Sequence, residues 1–143
     1  MPANTAPIFS IAGDLSSDSS TGMNAALLLA ANDYTGIGAN NKLVFTAGTN
    51  GGFVQRLRFK AIGTNVATVA RIFLNNGSTN GTATNNSFFD EVALPATTIS
   101  ATAGTPTVDL PLNIALPAGW KIYWGLGTAV AAGWTCTAVG GEY

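Results

Sequence analysis

Apolar and polar residues alternate along this chain in short segments, and glycine, proline and asparagine separate one segment from the next. A period of two places the apolar side chains of an extended segment on one face, as in a half-buried β-strand. Residues 25–31 fit either one or two helical turns or a strand, and the strand is favoured. The other β-rich segments cover residues 43–47, 53–62, 66–74, 88–94, 97–102, 108–116, 120–126 and 133–139. Eight to nine short strands without a long amphipathic helix predict one all-β domain over residues 1–143, either a sandwich or a barrel.

Local signals refine this strand pattern. Pro111 interrupts the segment 108–116, and because proline has no N–H to donate, the sequence predicts an edge strand or a bulge there. The residues Gly63, Thr64 and Asn65 separate two strand segments and predict a three-residue hairpin loop. The polar stretch 75–87 predicts a solvent loop, and residues 1–22 predict an N-terminal arm and a connection.

The inventory of ionisable residues excludes most catalytic chemistry. The chain has no histidine and one cysteine, Cys136, which removes histidine-based catalysis, Cys-His pairs and zinc centres. We therefore expect no enzymatic activity, no catalytic residue, no cofactor and no transition-metal site, and we interpret Cys136 as a small buried hydrophobe. Calcium stays open at Asp14, Asp18 or Asp33, which lie in Gly- and Ser-rich connections, although their spacing matches no EF-hand loop.

Charge is scarce in this chain. Six basic and seven acidic residues make up 9% of it and leave a formal net charge of −1, which argues against nucleic acid as a partner. The longest apolar run, residues 25–31, is too short to span a membrane, and the first thirty residues contain no Lys or Arg, so we expect synthesis in a cytoplasm. So few charges are typical either of a protein in an assembly or of a small β domain coated with Thr and Asn.

Three of the six basic residues stand on one strand segment. Arg56, Arg58 and Lys60 alternate with apolar residues, so the period of two places all three on one face of the strand. Arg71, in the next segment, is a possible fourth member. The face is either a solvated outer sheet face or the contact for a partner or second subunit, because arginine forms forked pairs with carboxylates. Nucleic acid ranks third, since no aromatic residue interleaves with these charges.

Two further groups of residues have competing interpretations. Trp120, Trp124 and Trp134 favour a sandwich core over a sugar-stacking platform, because they share strand faces with apolar neighbours. Asp90 and Glu91 are adjacent, so on a strand they point to opposite faces and do not form a glycosidase pair. We expect one of them to face solvent and the other to pair with an arginine. The glycine pairs at 36–38 and 125–127 predict turns and strand ends, not a phosphate-binding loop.

Three stretches of the chain carry a resemblance to known proteins. They are residues 45–61 (FTAGTNGGFVQRLRFKA), residues 63–77 (GTNVATVARIFLNNG), and the ending from LPAGW at 116–120 to the final GGEY. With the strand pattern over residues 25–143, they resemble small all-β structural proteins of tailed bacteriophages, of the type that cements or decorates capsids. The likeness is a pattern of strands and turns without a functional motif.

This resemblance implies a jelly-roll-like antiparallel β-sandwich and a homotrimer seated on the outside of the phage head. Its partner would be the major capsid protein, and its location the capsid surface of the virion after synthesis in the host bacterial cytoplasm. The resemblance brings no catalytic residues. Two alternatives stay open: a tail or fibre component, and a carbohydrate- or receptor-binding module on the same fold.

Overall fold

The structure of the protein is a computed structural model that describes residues 14–16, 26–28 and 32–143. Seven strands lie in residues 32–143, and two strands of three residues precede them. The strands are β1 (Asp14–Ser16), β2 (Ala26–Leu28), β3 (Lys42–Thr46), β4 (Gly52–Ala61), β5 (Thr68–Asn75), β6 (Asn86–Leu94), β7 (Thr107–Leu116), β8 (Lys121–Leu126) and β9 (Trp134–Glu142). The described residues contain one 3-10 turn, Ala83–Asn85, and no α-helix. The prediction of an all-β chain with eight to nine strands is confirmed.

The strands form two antiparallel sheets that enclose one core. Sheet A has the order β2-β9-β4-β7, with β1 also paired to β9, and sheet B has the order β3-β8-β5-β6. The pairs are nested, because β2 pairs with β9, β3 with β8, β4 with β7 and β5 with β6. The first half of the chain therefore runs against the second half as one long hairpin rolled into a sandwich, which is the topology of a jelly roll.

The core contains two of the three tryptophans. Trp124 on β8 and Trp134 on β9 are completely buried, and the ring of Phe59 on β4 meets Trp124 edge-on at a centroid distance of 5.5 Å. Trp120 is partly buried against the same core. The interpretation of Trp124 and Trp134 as core residues is confirmed. Cys136 is buried as predicted, and burial raises the pKa of its thiol well above the usual range.

The predicted hairpin between residues 53–62 and 66–74 is wrong. β4 lies in sheet A between β7 and β9, whereas β5 lies in sheet B between β6 and β8. The chain crosses between the sheets at residues 62–67, where the buried Asn65 side chain accepts hydrogen bonds from the backbone amides of Ala132 and Gly133. Turn residues suit a hairpin and a sheet crossing equally, so packing of the two sheets decides between them. The predicted strand at 97–102 is also wrong, because only Thr97 forms a bridge, to Asn65.

Pro111 lies on β7, which is an edge strand of sheet A. The pairing of β4 with β7 also changes register at this point, between Val54 and Arg56. Nearby, Asn113 adopts a φ of 51°, in the left-handed region that few non-glycine residues occupy. Both signals expected from a proline in a strand, an edge position and an irregular ladder, are therefore present.

The loops lie at two ends of the sandwich. Residues 47–51, 76–85 and 117–120 meet at one end, where the Gly119 amide donates to the carbonyl of Gly48. Most residues of 76–85 are exposed, so the solvent loop predicted over 75–87 is confirmed except at its ends, where Asn75 is buried on β5 and residues 86 and 87 belong to β6. Residues 62–67, 95–106 and 127–133 form the other end, which we call the loop end.

β1 falls within the segment 1–22, predicted as an arm and connection, and pairs with β9. Across the described residues, no helix has the length and apolarity needed to span a membrane.

Candidate functional site

The outer face of sheet A carries the three basic residues that the sequence singles out. β4 is hydrogen-bonded on both sides, to β7 and to β9, so the pleat of the sheet sets the direction of each side chain. Leu57 and Phe59 point into the core and are completely buried. Arg56, Arg58 and Lys60 consequently lie on the opposite face, as the alternation predicts.

A carboxylate on the neighbouring strand holds the middle of this row. Arg58 donates from Nε to Oδ1 of Asp109 at 2.8 Å and from a terminal nitrogen to Oδ2 at 2.9 Å. Asp109 stands directly opposite Arg58 in the β4–β7 ladder. The Arg58 hydrogen bonds hold the pKa of the Asp109 carboxyl below its usual range, and Asp109 raises the pKa of Arg58. Arg56 Nε lies 3.9 Å from the same carboxylate.

The two outer basic residues are also tethered. Lys60 donates to the backbone carbonyl of Thr105 and to the hydroxyl of Thr107 on the next strand, the latter at 3.3 Å. Arg56 donates to the side-chain carbonyl of Gln55 at 2.8 Å. Side chains held in this way lose less conformational entropy when they bind a partner than free side chains do.

We call Arg56, Arg58, Lys60 and Asp109 the cationic face. Three basic side chains and one carboxylate leave it with a net charge of +2. Threonines flank it on β9, with Thr137 opposite Arg58 and Thr135 opposite Lys60. Guanidinium and ammonium groups stay charged at neutral pH and only donate hydrogen bonds, so this surface is suited to a partner that presents carboxylates.

Arg71 is not a fourth member of this row, and that prediction is wrong. It lies on β5 in sheet B, because β4 and β5 belong to different sheets. Its guanidinium lies over the Tyr34 ring, 3.9 Å from the centroid, and donates to the carbonyl of Asn32. Arg71 Nε is also 3.9 Å from a carboxylate oxygen of Glu91, so the expectation that one of the acidic neighbours pairs with an arginine is confirmed.

Arg71 belongs to a second charged cluster, which we call the acidic corner. It consists of Asp33, Arg71 and Glu91, with the exposed ring of Phe88 beside them on β6, whereas Asp90 pairs with the core-facing Ile72 and lies on the opposite face of the strand. Two carboxylates and one guanidinium give a net charge of −1. The carboxylate of Asp33 accepts hydrogen bonds from the hydroxyl and amide of Thr35, which together with the charge of Arg71 lower its pKa.

An aromatic residue lies buried outside the main core at this corner. Phe73 on β5 shares the outer face of sheet B with Arg71, yet it is completely shielded from solvent. Residues 33–41 cross over it, Gly36 packs against its ring, and Phe88 lies at a centroid distance of 5.8 Å. Gly36 has a φ of 72°, which a residue with a side chain rarely adopts. In the sequence, only the alternation along β5 indicates this position, because it places Phe73 on the same face of the strand as Arg71.

The acidic residues considered for calcium do not assemble into a site among the described residues. Asp33 accepts hydrogen bonds from Thr35, Asp14 lies on β1, and Asp18 lies outside the described residues. Within the described part of the chain, no group of three acidic, histidine or cysteine side chains is arranged to hold a metal ion.

The loop end contains none of the candidate site residues that the sequence pattern indicated. None of the residues in 62–67, 95–106 and 127–133 is charged. Three large apolar side chains are exposed there: Ile62 at 52%, Val66 at 58% and Ile99 at 58%. Buried hydrogen bonds between Asn65, Thr97 and Gly133 join the three loops. The detectable signal was the complete lack of charge in three segments that contain isoleucine and valine.

Comparison of the chain with protein-family models, with curated proteins and with solved structures finds no match.

Proposed function

We propose that this chain is a structural virion protein of a tailed bacteriophage, a cement or decoration protein that binds the major capsid protein on the outer head surface. The observation that carries the proposal is the uncharged loop end. A protein that remains a free monomer usually intersperses charges of both signs over its surface and exposes few large apolar side chains. Exposed apolar residues on a charge-free end, whose loops are joined by buried hydrogen bonds, suit a surface that is covered in an assembly.

Two further observations support this role. The jelly roll is an architecture that recurs in viral capsid and lectin domains, although a fold alone does not determine a function. The sequence pattern over residues 25–143 resembles capsid decoration proteins. In this proposal the chain acts as a homotrimer, so that three weak contacts to the shell reinforce one another through effective concentration. Because the trimer binds only the intact lattice, it shifts the equilibrium away from disassembly.

The direct test compares phage heads with and without this protein during heating. Genome release, followed with a DNA-binding dye, should begin at a lower temperature in heads that lack the protein. Adding the purified protein back should restore the wild-type curve. Identical release curves for the two kinds of head would refute the cementing role.

Variants at the loop end test the surface that binds the shell. Val66→Asp and Ile99→Asp each place a charge on an exposed position, so folding should change by no more than about 0.5 kcal/mol. Binding to heads that lack the protein, measured by co-sedimentation, should weaken at least about tenfold because the new carboxylate is desolvated in the contact. The matched control is Ser78→Asp, which adds the same charge in an exposed loop at the opposite end.

A tail or fibre component is the close variant of this proposal. A cryo-electron reconstruction of the parent virion separates the two, because density for the sandwich would lie on the head in one case and on the tail in the other. The carbohydrate-binding alternative loses its proposed platform, since Trp124 and Trp134 are buried in the core.

A further inference from the structure

The cationic face continues into the loop end without a break. Arg56, Arg58 and Lys60 occupy alternate positions of β4, and Ile62 occupies the next position in the same alternation. The backbone amide of Ile62 donates to the carbonyl of Gly133 at 3.3 Å, so the hydrogen bonding between these two segments extends beyond the paired ends of β4 and β9. Ile62 is 52% exposed. The row of basic residues therefore ends in an exposed apolar residue of the loop end.

Lys60 lies at the border between these two surfaces. Its ammonium group donates to the backbone carbonyl of Thr105, which belongs to the loop end, and to the hydroxyl of Thr107 on β7. The backbone carbonyl of Lys60 accepts a hydrogen bond from the Thr135 hydroxyl at 3.1 Å. These contacts hold a positive charge beside the loop 95–106, so a partner that covers the loop end also meets this charge.

We infer that the cationic face is the rim of the surface that binds the shell, and that the capsid surface presents carboxylates to Lys60 and Arg58 beside the apolar patch that receives the loop end. This inference rests on the proposed function and assigns the chemistry of the partner surface. Interfaces have a fully buried apolar centre surrounded by a polar rim, and arginine is enriched in them. The loop end supplies such a centre with Ile62, Val66 and Ile99, and the cationic face borders it on the side of sheet A.

The charge of the cationic face decides which partner groups fit it. Three basic side chains and one carboxylate leave a net charge of +2, and guanidinium and ammonium groups only donate hydrogen bonds. The Asp109 carboxylate engages Nε and one terminal nitrogen of Arg58, and the Arg58 side chain is still 48% exposed. Because a guanidinium has further N–H donors, Arg58 can donate to a second carboxylate without giving up its bonds to Asp109.

Nucleic acid fits this surface less well than an acidic protein surface does. A phosphate backbone along the row would have to pass Asp109, which lies in the middle of the row, opposite Arg58. The residues that alternate with the basic row point into the core, so no aromatic ring lies among the basic residues to stack with a base. A phosphate backbone also offers no apolar surface to the loop end.

Charge reversal at Lys60 tests the inference. The probe is phage heads that lack this protein, emptied of DNA and treated with nuclease, and binding is measured by co-sedimentation. Lys60→Glu should raise the dissociation constant about tenfold at about 50 mM salt, because it places like charges opposite one another. The difference should fall below about threefold at about 500 mM salt, which screens exposed charges. Lys121→Glu is the matched control, because it makes the same charge change on β8 in sheet B, at the end of the sandwich opposite the loop end. It should bind like the wild type.

Salt provides a second measurement that needs no variant at Lys60. Binding of the wild type should weaken as salt rises, whereas Ile99→Asp should bind more weakly than the wild type at both salt concentrations, because it alters the apolar centre. The urea midpoint of each variant verifies that it is folded.

The outcomes separate this inference from the proposed function. Wild-type binding that ignores salt, or Lys60→Glu that binds as tightly as the wild type, would overturn the inference and leave the decoration role intact. Tighter binding of Lys60→Glu would also overturn it, because the capsid surface would then be basic. Binding that is present before nuclease treatment and lost after it would assign the cationic face to nucleic acid and overturn the inference. Heads that bind no wild-type protein before or after the treatment would refute the proposed function and this inference together.

Discussion

The buried side chain of Asn65 joins three loops at the loop end, and its removal should cost much of the stability of the domain. Asn65 is 4% exposed. Its amide nitrogen donates to the carbonyls of Gly63 at 3.1 Å and Gly133 at 3.0 Å. Its oxygen accepts from the amides of Ala132 at 2.9 Å and Gly133 at 2.8 Å. One side chain thus satisfies backbone groups from two loops that are distant in sequence.

The magnitude for Asn65→Ala follows from which groups are left without a partner. The two carbonyls keep other donors, the Thr97 hydroxyl at 2.8 Å and the Ile62 amide at 3.3 Å. The amides of Ala132 and Gly133 lose their acceptor, and a buried unsatisfied amide costs about 1–3 kcal/mol. We expect a loss of about 3 kcal/mol for the two together, out of a total of about 5–15 kcal/mol for a domain. This loss corresponds to a decrease of about 6–12 °C in melting temperature.

Urea unfolding, followed by the fluorescence of the buried tryptophans, measures this loss at a fixed protomer concentration. The control is Asn76→Ala, which removes the same side chain from an exposed loop where water replaces its hydrogen bonds, and it should cost less than about 0.5 kcal/mol. If Asn65→Ala changed the unfolding free energy by less than about 1 kcal/mol, the view of Asn65 as the junction of the loop end would be refuted.

Three other predictions concern single sites. A Cβ at Gly140 would overlap a backbone carbonyl of β4, so Gly140→Ala should lower the free energy of unfolding by about 1–3 kcal/mol. Gly104→Ala, in open space, should leave it unchanged. Equal urea midpoints for the two variants would contradict this. Arg58 lowers the pKa of Asp109, so the pair stabilises the fold above the unfolded-state pKa near 3.8 and ceases to do so as pH falls through the lower folded-state pKa. The difference in urea midpoint between wild type and Asp109→Asn should therefore disappear in acid. A difference that stays constant with pH would argue against this. Cys136 should react with a thiol reagent only after unfolding, because burial raises the pKa of its thiol and excludes the reagent. Rapid reaction of the native protein would show that β9 is misplaced.

For the candidate site, the sequence predicted how the residues are arranged within one strand but not which residues of other strands they contact. The alternation in β4 correctly places Arg56, Arg58 and Lys60 on one face, because the direction of a side chain in a strand depends only on its position along that strand. Their carboxylate partner was not predictable. Asp109 is 51 residues from Arg58 in the sequence, and only the pairing of β4 with β7 brings them together.

The sequence by itself determined the fold class of this protein, with strands throughout and the tryptophans of β8 and β9 inside. These properties are local, since a period of two and the residue types present do not depend on which strands are neighbours. Only the tertiary structure decided that residues 62–67 cross between sheets instead of forming a hairpin, that Arg71 belongs to the acidic corner, and that Phe73 is covered by residues 33–41. The physical reason is that pairing between distant strands is selected by burial of both sheet faces in one core, a free energy to which all strands contribute and which no single segment contains.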